Sequence, residues 1–497
     1  MKFFNKIFIA AALVSFTLLT ACSDDYLDTK PTNAVSEVTI GESLDNIYMA
    51  INGIHRKMVS QDRENQGMGS EPGFRIGFEA MGDDLTWDTQ TWHQGFLNWS
   101  FVNNPSSSYN SNLWRTYYEF IMNANKILEL LDKNFAESSN PTAKYIRGEA
   151  LAIRAWCHFQ LVQLYAKPYH AGQTNGQDGV IIRDNTGMEN KVRATVEEVY
   201  TMINTDLDES ATLLAGYKAK DVTHYSEKVV WGLKARVALA QQNYTKAGEY
   251  AERSIQVAES EGLKMMDKSQ LVDVFPDITT KTKDAMYASR TQDDQTVYFY
   301  SFYAYMSWNF NSTSIRTGIK CINQATYDLM SPTDLRRQWW DPAGTASVPA
   351  TSYNQRKYQN RKFTARSTAN AVGDFAYMRL TEMYLTAAEA YARAGNPTEA
   401  KKYFLPFVAQ RDPNYTDLGN TGAALADEIM IHRRIELWGE GFRLFDIKRL
   451  GLPINRNGSN YTQTFCGFLQ KLPSDNIWEF EIPKSETDYN DLCKTNY

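Results

Sequence analysis

At 497 residues and 43% hydrophobic content, the chain is long enough for a sizeable core, and a net charge of −6 gives no basic surface for nucleic acid. Aromatic content is high at 13%, with 29 tyrosines and 11 tryptophans, the residues that bind while staying partly wet. The five cysteines show no CxxC spacing, which argues against a zinc site, and no metal or cofactor is expected.

In chain order, Lys2 and Lys6 precede an apolar run, Ile7 to Leu19, that is too short for a spanning helix. Leu19-Thr20-Ala21-Cys22 follows. Small residues before a cut are those of a secretory signal peptide, and a cysteine directly after them resembles the lipobox of bacterial lipoproteins. The expectation is a removed signal peptide over 1–21, a lipidated Cys22 on a polar tether over 22–42, and one folded unit over 43–497. Several acyl chains on one cysteine hold a protein to a membrane by roughly 0.8 kcal/mol per buried CH₂.

Leu44 to Val59 reads as a first helix, with Leu44, Ile47, Ile51 and Ile54 at helical spacing. Asp62 to Gly77 is glycine-rich and polar and reads as a connection. Met81-Gly82-Asp83-Asp84 leads into a loop carrying Trp87, Trp92 and Trp99, and Asn103-Asn104-Pro105-Ser106 is loop chemistry. Leu113 to Lys133 is a second helix. The strongest element is Thr142 to Tyr165, opened by Pro141 and closed by Lys167-Pro168. Ile146, Ala150, Ile153, Cys157, Leu161 and Leu164 form one stripe, and Leu151, Ala155, Phe159 and Val162 form another roughly opposite. A helix at the surface has one apolar stripe, so two stripes predict a middle layer with helices on both sides. Tyr169 to Asn190 is a connection, and Thr195 with Glu198 has capping-box spacing.

Two later segments repeat one another. Val229–Gln242 and Thr245–Ala258 match Glu382–Gly395 and Thr398–Gln410. Ala247 and Ala400 fall at one step after the turn, Tyr250 and Tyr403 three later, and Trp231 and Tyr384 precede Ala235 and Ala388 by four. Small residues at a crossing, aromatic wedges and a tight turn are the physics of tetratricopeptide-type helical pairs. The fold class expected is mainly α, a tetratricopeptide-like scaffold with long irregular insertions. The largest insertion spans about 263–374. Its centre, Val297 to Phe310, holds Tyr298, Tyr300, Tyr303 and Trp308. Alternation along a strand sends one set of rings outward, which makes these candidates for a binding surface.

Arg433, Arg434, Glu436, Glu440, Arg443, Asp446 and Lys448 alternate in sign along Ile429–Leu450, the pattern of a structural ion-pair helix. Trp478 to Pro483 reads as a short edge strand. In an exported chain a Cys466–Cys493 disulfide stays open, and sequence does not decide it.

Several of these stretches resemble one family. They are the lipobox at Cys22; Arg147-Gly148-Glu149-Ala150 with Arg154-Ala155; the VEEVY…DLDESATLL pattern from Thr195 to Leu214; Tyr377-Met378-Arg379-Leu380 leading into Tyr384–Gly395; Arg433-Arg434-Ile435-Glu436-Leu437 through Gly441-Phe442-Arg443 to Asp446-Ile447-Lys448-Arg449; and Glu481-Ile482-Pro483. Together they resemble the SusD/RagB family of outer-membrane lipoproteins, over essentially the whole chain. His432 stands where an acidic residue is usual, and Tyr169–Gly179 is atypical. The resemblance implies a tetratricopeptide-like scaffold whose long irregular insertions form a ligand-binding half, in a cell-surface lipoprotein of the outer membrane that captures oligosaccharides and sits on a SusC-like TonB-dependent transporter. It maps ligand-contacting aromatics by region onto Trp87, Trp92, Trp99 and the Tyr298–Trp308 run.

The resulting expectation is a non-enzymatic glycan-binding protein. Its ligand-binding residues are Asp83, Trp87, Trp92, Trp99, Asn103, Tyr298, Tyr300, Tyr303 and Trp308. The alternative is a peptide-binding or structural lid of the same transporter. Asp83 and Asp84 are adjacent and cannot flank a glycosidic bond at the ~5–9 Å that hydrolysis requires. No nucleophile elbow, metal motif or phosphate loop occurs.

Overall fold

The computed structural model describes residues 37–60, 71–136, 139–292 and 301–497. The chain divides into two compact units, residues 1–50 and 51–497. The described part of the first holds a short helix, Glu37–Gly41, and the start of α1 (Leu44–Lys57). Labels below follow the helices of eight residues or more. In the second unit these are α2 (Glu71–Met81), α3 (Ser108–Phe135), α4 (Pro141–Tyr165), α5 (Val196–Leu213), α6 (Glu227–Ala240), α7 (Tyr244–Ser260), α8 (Leu380–Arg393), α9 (Pro397–Ala409), α10 (Gly422–Glu436) and α11 (Arg443–Leu450).

The helices pack in a chain of neighbours: α3 on α4, α4 on α5, α5 on α6, α6 on α7, α7 on α8, and α8 on both α9 and α10. The middle-layer expectation for α4 holds. From Gly148 to Tyr165 every residue except Arg154 and Gln163 is buried. Asn140 caps the start by accepting from Thr142 N–H, Pro141 takes the first turn, and Ala166 leaves the helix extended. Arg154 ties three layers together. Its guanidinium donates to both oxygens of Asp206 on α5 at 2.8 and 2.7 Å, and to Asn125 Oδ1 on α3 at 2.9 Å. Gly148 permits the α4–α5 crossing, because a Cβ there would lie 2.8 Å from Leu214 Cγ. Thr195 and Glu198 form the expected capping box on α5.

The repeats are two helical pairs, α6–α7 and α8–α9. Asn243 and Asn396 occupy matching caps and accept from Lys246 N–H and Glu399 N–H. Ala247 and Ala400 are fully buried at the crossings. Arg236 on α6 grips Glu382 on α8 through two hydrogen bonds of 2.7 and 2.6 Å.

Three sequence expectations change. α2 is a helix where a polar connection was expected through Gly77, and all eleven of its residues are buried. The stretch from Ile429 to Leu450 is two helices, broken by Gly439 and Gly441, whose φ values are 80° and 83°. Residues 478–483 do not form a strand: Phe480 N–H bonds Leu164 O and Glu481 N–H bonds Val102 O, single links to two separate partners rather than a ladder.

The insertion contributes short strands. β1 (Leu85–Thr86), β3 (Cys321–Ile322), β4 (Trp340–Asp341) and β5 (Gln359–Asn360) form an antiparallel sheet in the order β1-β3-β5-β4. β2 (Ala285–Ser289) pairs with β6 (Phe375–Arg379), and register shifts interrupt the ladder. Cys157, Cys321, Cys466 and Cys493 are all free buried thiols, so Cys466 and Cys493 do not pair.

Charged residues of α10 and α11 run through the core as an ion-pair network, as their alternation implied. Glu436 meets Arg411 at 2.8 Å, Arg379 at 3.2 Å and Arg336 at 3.5 Å. Burial opposes its charge, yet Arg411, then Arg379 and Arg336, hold its carboxyl well below the usual carboxylate range. Glu440 bridges Arg379 and Lys362, and Arg449 joins Glu389 to Asp446.

Candidate functional site

β1 ends at Thr86, so the chain delivers Trp87 and Asp88 to the edge of the small sheet. β3 lies beside β1, with Leu85 opposite Ile322 and Thr86 opposite Cys321. β5 joins β3 at Cys321 and Gln359. This pairing gathers three segments distant in sequence: 86–88, 319–321 and 356–357. With Asn460 they line a cleft of about 230 Å³.

Trp87 is a wall of that cleft rather than an exposed platform. Its ring is 2% exposed, meets Tyr461 edge-on at 6.3 Å and carries the Lys320 ammonium 5.0 Å from its centre. Its buried Nε1 donor has no hydrogen-bond partner among the described residues. An unmatched buried donor costs about 1–3 kcal/mol. Burial lowers the Lys320 ammonium to about 8 and pushes the Cys321 thiol up to about 12. At the mouth, Asp88 and Arg356 form an ion pair of 2.6 Å, each side chain roughly two-fifths exposed.

Trp92 is the open ring, at 46% exposure. The loop leading to it rests on the 317–319 turn: a Cβ on Gly318 would lie 2.6 Å from Thr91 Cγ2. Trp308 lies across Ile319 from Trp87, lining a narrow crevice with Ile319, Lys320 and Tyr353. Its Nε1 donates to Thr364 Oγ1 at 2.9 Å, and the Arg361 guanidinium covers one face at 4.2 Å.

Among the described expected contacts, Trp87 alone lines this cleft. Asp83 is buried in an ion pair with Arg443 at 2.7 Å and accepts from Asn455 N–H. Trp99 is 6% exposed, donates to Met81 O and packs edge-on against Trp478 at 5.3 Å. Tyr303 is 2% exposed and donates to Asp374 O at 3.0 Å. The physical reason is the same for all three: each polar group is matched inside the protein, and the aromatic area is spent on packing. Asn103 is exposed but does not line the cleft. Tyr298 and Tyr300 fall outside the described residues.

Residues that sequence reasoning missed are Asp88, Lys320, Arg356, Lys357 and Asn460. Asp88 adjoins Trp87, and Arg356-Lys357 is a basic pair inside an aromatic insertion, which is the signal available. A larger cavity of about 610 Å³ lies between Lys167, Lys448, Trp478 and Tyr497. Polar groups at its wall have partners in the protein: Lys448 donates to Gln163 O, and Tyr497 Oη donates to Glu479. The smaller cleft therefore has the stronger claim.

The scaffold is a series of helical pairs, and the cleft lies where its irregular insertion meets the segment after α2. Two family models cover the chain. One, SusD-like and described as starch-binding associating with outer membrane, matches residues 25–239; the other, described as the SusD family, matches residues 229–492. The chain belongs to the SusD family. No curated protein matches it. Solved structures share the fold. A SusD-like carbohydrate binding protein from Bacteroides vulgatus ATCC 8482 superposes with a TM-score of 0.79 at 21% identity, over 91% of this chain and 97% of that one. A SusD superfamily protein from the same organism gives 0.78 at 21% identity, over 91% and 98%. One from Bacteroides thetaiotaomicron VPI-5482 gives 0.77 at 20% identity, over 92% and 100%.

Proposed function

We propose that this chain is a cell-surface lipoprotein that captures oligosaccharides without cleaving them and passes them to a partner TonB-dependent transporter of the outer membrane. The observation that carries the binding step is the Trp87 cleft. It combines an unmatched indole donor, a solvent-facing acid–base pair and an open tryptophan nearby. Sugar rings lay their apolar C–H faces on Trp92, while Asp88, Arg356 and Asn460 take up hydroxyls. Trp87 closes the back wall and offers its N–H, and Trp308 borders the adjoining crevice.

Two features support binding without hydrolysis. Asp88 is the one carboxylate among the residues lining the cleft, and it is held by Arg356; glycosidases use two carboxyl groups across the bond. The peptide alternative needs a strand edge for backbone pairing. Here β1, the edge strand beside the cleft, is two residues long, too short a template for an extended peptide.

Attachment through Cys22 rests on the lipobox, and no described helix is long and apolar enough to cross a membrane. Delivery to a SusC-like transporter rests on family membership. The test of the binding step is a glycan-array screen of the purified full chain, followed by prolonged incubation with each ligand found. Binding without new reducing ends is expected. Cleavage that scales with protein and is lost on mutation of a carboxylate overturns the non-enzymatic reading.

A further inference from the structure

Outside the Trp87 cleft, three side chains far apart in sequence meet beneath another opening. His55 comes from the last turn of α1, Glu149 from the centre of α4, and His224 from the approach to α6. All three are buried, at 9%, 1% and 8% exposure. Glu149 Oε1 lies 2.7 Å from His55 Nε2 and 3.0 Å from His224 Nδ1. One ligand atom from each residue falls within 4.8 Å of the others.

Glu149 Oε1 also accepts from Tyr225 N–H at 2.7 Å, and His55 Nδ1 lies 2.9 Å from Tyr287 Oη. In a neutral imidazole one nitrogen donates and the other accepts, so an ion on His55 Nε2 would place the ring hydrogen on Nδ1, where the tyrosine oxygen accepts it.

We propose that His55 Nε2, Glu149 Oε1 and His224 Nδ1 bind one divalent transition-metal ion of the zinc class. Two imidazoles and one carboxylate are a zinc donor set, and three protein ligands leave a fourth position open. Bonds of ~2.0–2.2 Å in a tetrahedron place the ligand atoms about 3.3 Å apart, a spacing that side-chain rotation of Glu149 and His224 supplies. The His55–Tyr287 hydrogen bond fixes the ring from behind, as outer partners of metal-bound histidines do. An opening of about 310 Å³, bordered by Arg56, Asp221, Thr223 and Tyr287, reaches both histidines; it provides the entry path and solvent for the fourth position. The ion joins α1, α4 and the segment before α6, which is a structural tie independent of the glycan cleft.

The test uses the purified full chain, stripped by chelator and titrated with Co²⁺ and then Zn²⁺. The expected result is one ion per chain, with visible absorption bands of four- or five-coordinate Co²⁺ that Zn²⁺ abolishes, and a rise in melting temperature with Zn²⁺. Tyr287→Phe is expected to weaken binding by about ten- to a hundredfold, the effect of losing an outer partner. His224→Ala, at the rim of the opening, is expected to weaken it further and remove the absorption bands. His55→Ala serves as the second ligand variant, with circular dichroism confirming that each is folded. The proposal is overturned if the folded wild-type chain takes up no stoichiometric metal, or if folded His224→Ala and His55→Ala bind as the wild type does. In either case the cluster is an ion-paired imidazole–carboxylate network.

Discussion

Asp84 and Arg434 lie 350 positions apart in the chain, and their carboxylate and guanidinium meet at 2.6 Å. Asp84 immediately precedes β1, so this pair anchors the strand that carries Trp87 to α10 of the helical scaffold. Thr326 Oγ1 donates to the same carboxylate, and the Asp84 carbonyl accepts from Trp438 Nε1. The scaffold and the cleft are thus joined through one aspartate.

Breaking that junction is expected to be costly. Asp84→Asn leaves the Arg434 charge with no carboxylate partner closer than Asp83, at 3.9 Å. Loss of one partner of a buried pair costs about 3–5 kcal/mol. The measurement is urea unfolding, with a lower midpoint at unchanged slope.

Acid and alkaline pH are expected to act with opposite signs through two neighbouring carboxyls. Burial opposes the Asp84 charge, but Arg434 and Arg443 hold the group at about 2. Its contribution is therefore present above the ordinary aspartate range and is lost as pH falls toward 2. Glu79 is the reverse. Burial, with Asp84 adding to it, raises its carboxyl to about 8, so the folded state holds a proton that the unfolded state releases. That contribution is full below about 4.5 and is lost as pH rises to about 8. Glu79→Gln should flatten the alkaline limb of a stability–pH profile while leaving the acid limb in place. An unchanged alkaline limb would exclude Glu79 as its source.

Gly148 decides the sign of a substitution that is usually favourable. Glycine to alanine in a helix interior ordinarily gains about 1 kcal/mol. Here the added Cβ would press on Leu214 and Leu213 across the α4–α5 crossing. Gly148→Ala is expected to destabilise by about 1–3 kcal/mol, the range for overpacking, read as a lower melting temperature.

The aromatic candidates should separate into two groups. Trp99→Ala and Tyr303→Ala remove buried rings and are expected to cost about 3–5 kcal/mol of stability. Trp92→Ala removes an exposed ring and should leave melting nearly unchanged. Thermal unfolding of the three variants side by side checks the division.

The helical scaffold was legible because its signals are local. Pro141 and Pro168 bracket α4, its two apolar stripes announce two neighbours, and the small residue–aromatic spacing marks both helical pairs. α2 was missed because Gly73 and Gly77 argue against helix by propensity, whereas tertiary packing decided the outcome: a Cβ on Gly77 would lie 3.0 Å from the Phe96 ring. The cleft was only partly legible. Trp87, chosen by type and region, lines the cleft, and Trp92 is exposed; burial cannot be read from type, and Asp83, Trp99 and Tyr303 are buried. Asp88 and Arg356 meet only because β1, β3 and β5 pair, a long-range event with no local signature. His55, Glu149 and His224 escaped for the same reason, since no short motif spans them.

The central claim, that oligosaccharide is held at the Trp87 cleft, is tested most directly by calorimetry with a glycan from the array screen. The chains compared are wild type, Trp92→Ala, Asp88→Ala and Trp478→Ala, the last at the wall of the larger cavity. Binding energy at such surfaces concentrates in a few residues worth ~2 kcal/mol or more. Trp92→Ala should therefore weaken binding by roughly thirtyfold with melting unchanged, and Asp88→Ala should weaken it in the same direction. Unchanged affinity in both variants, with loss in a folded Trp478→Ala, would contradict the account and move the site to the larger cavity.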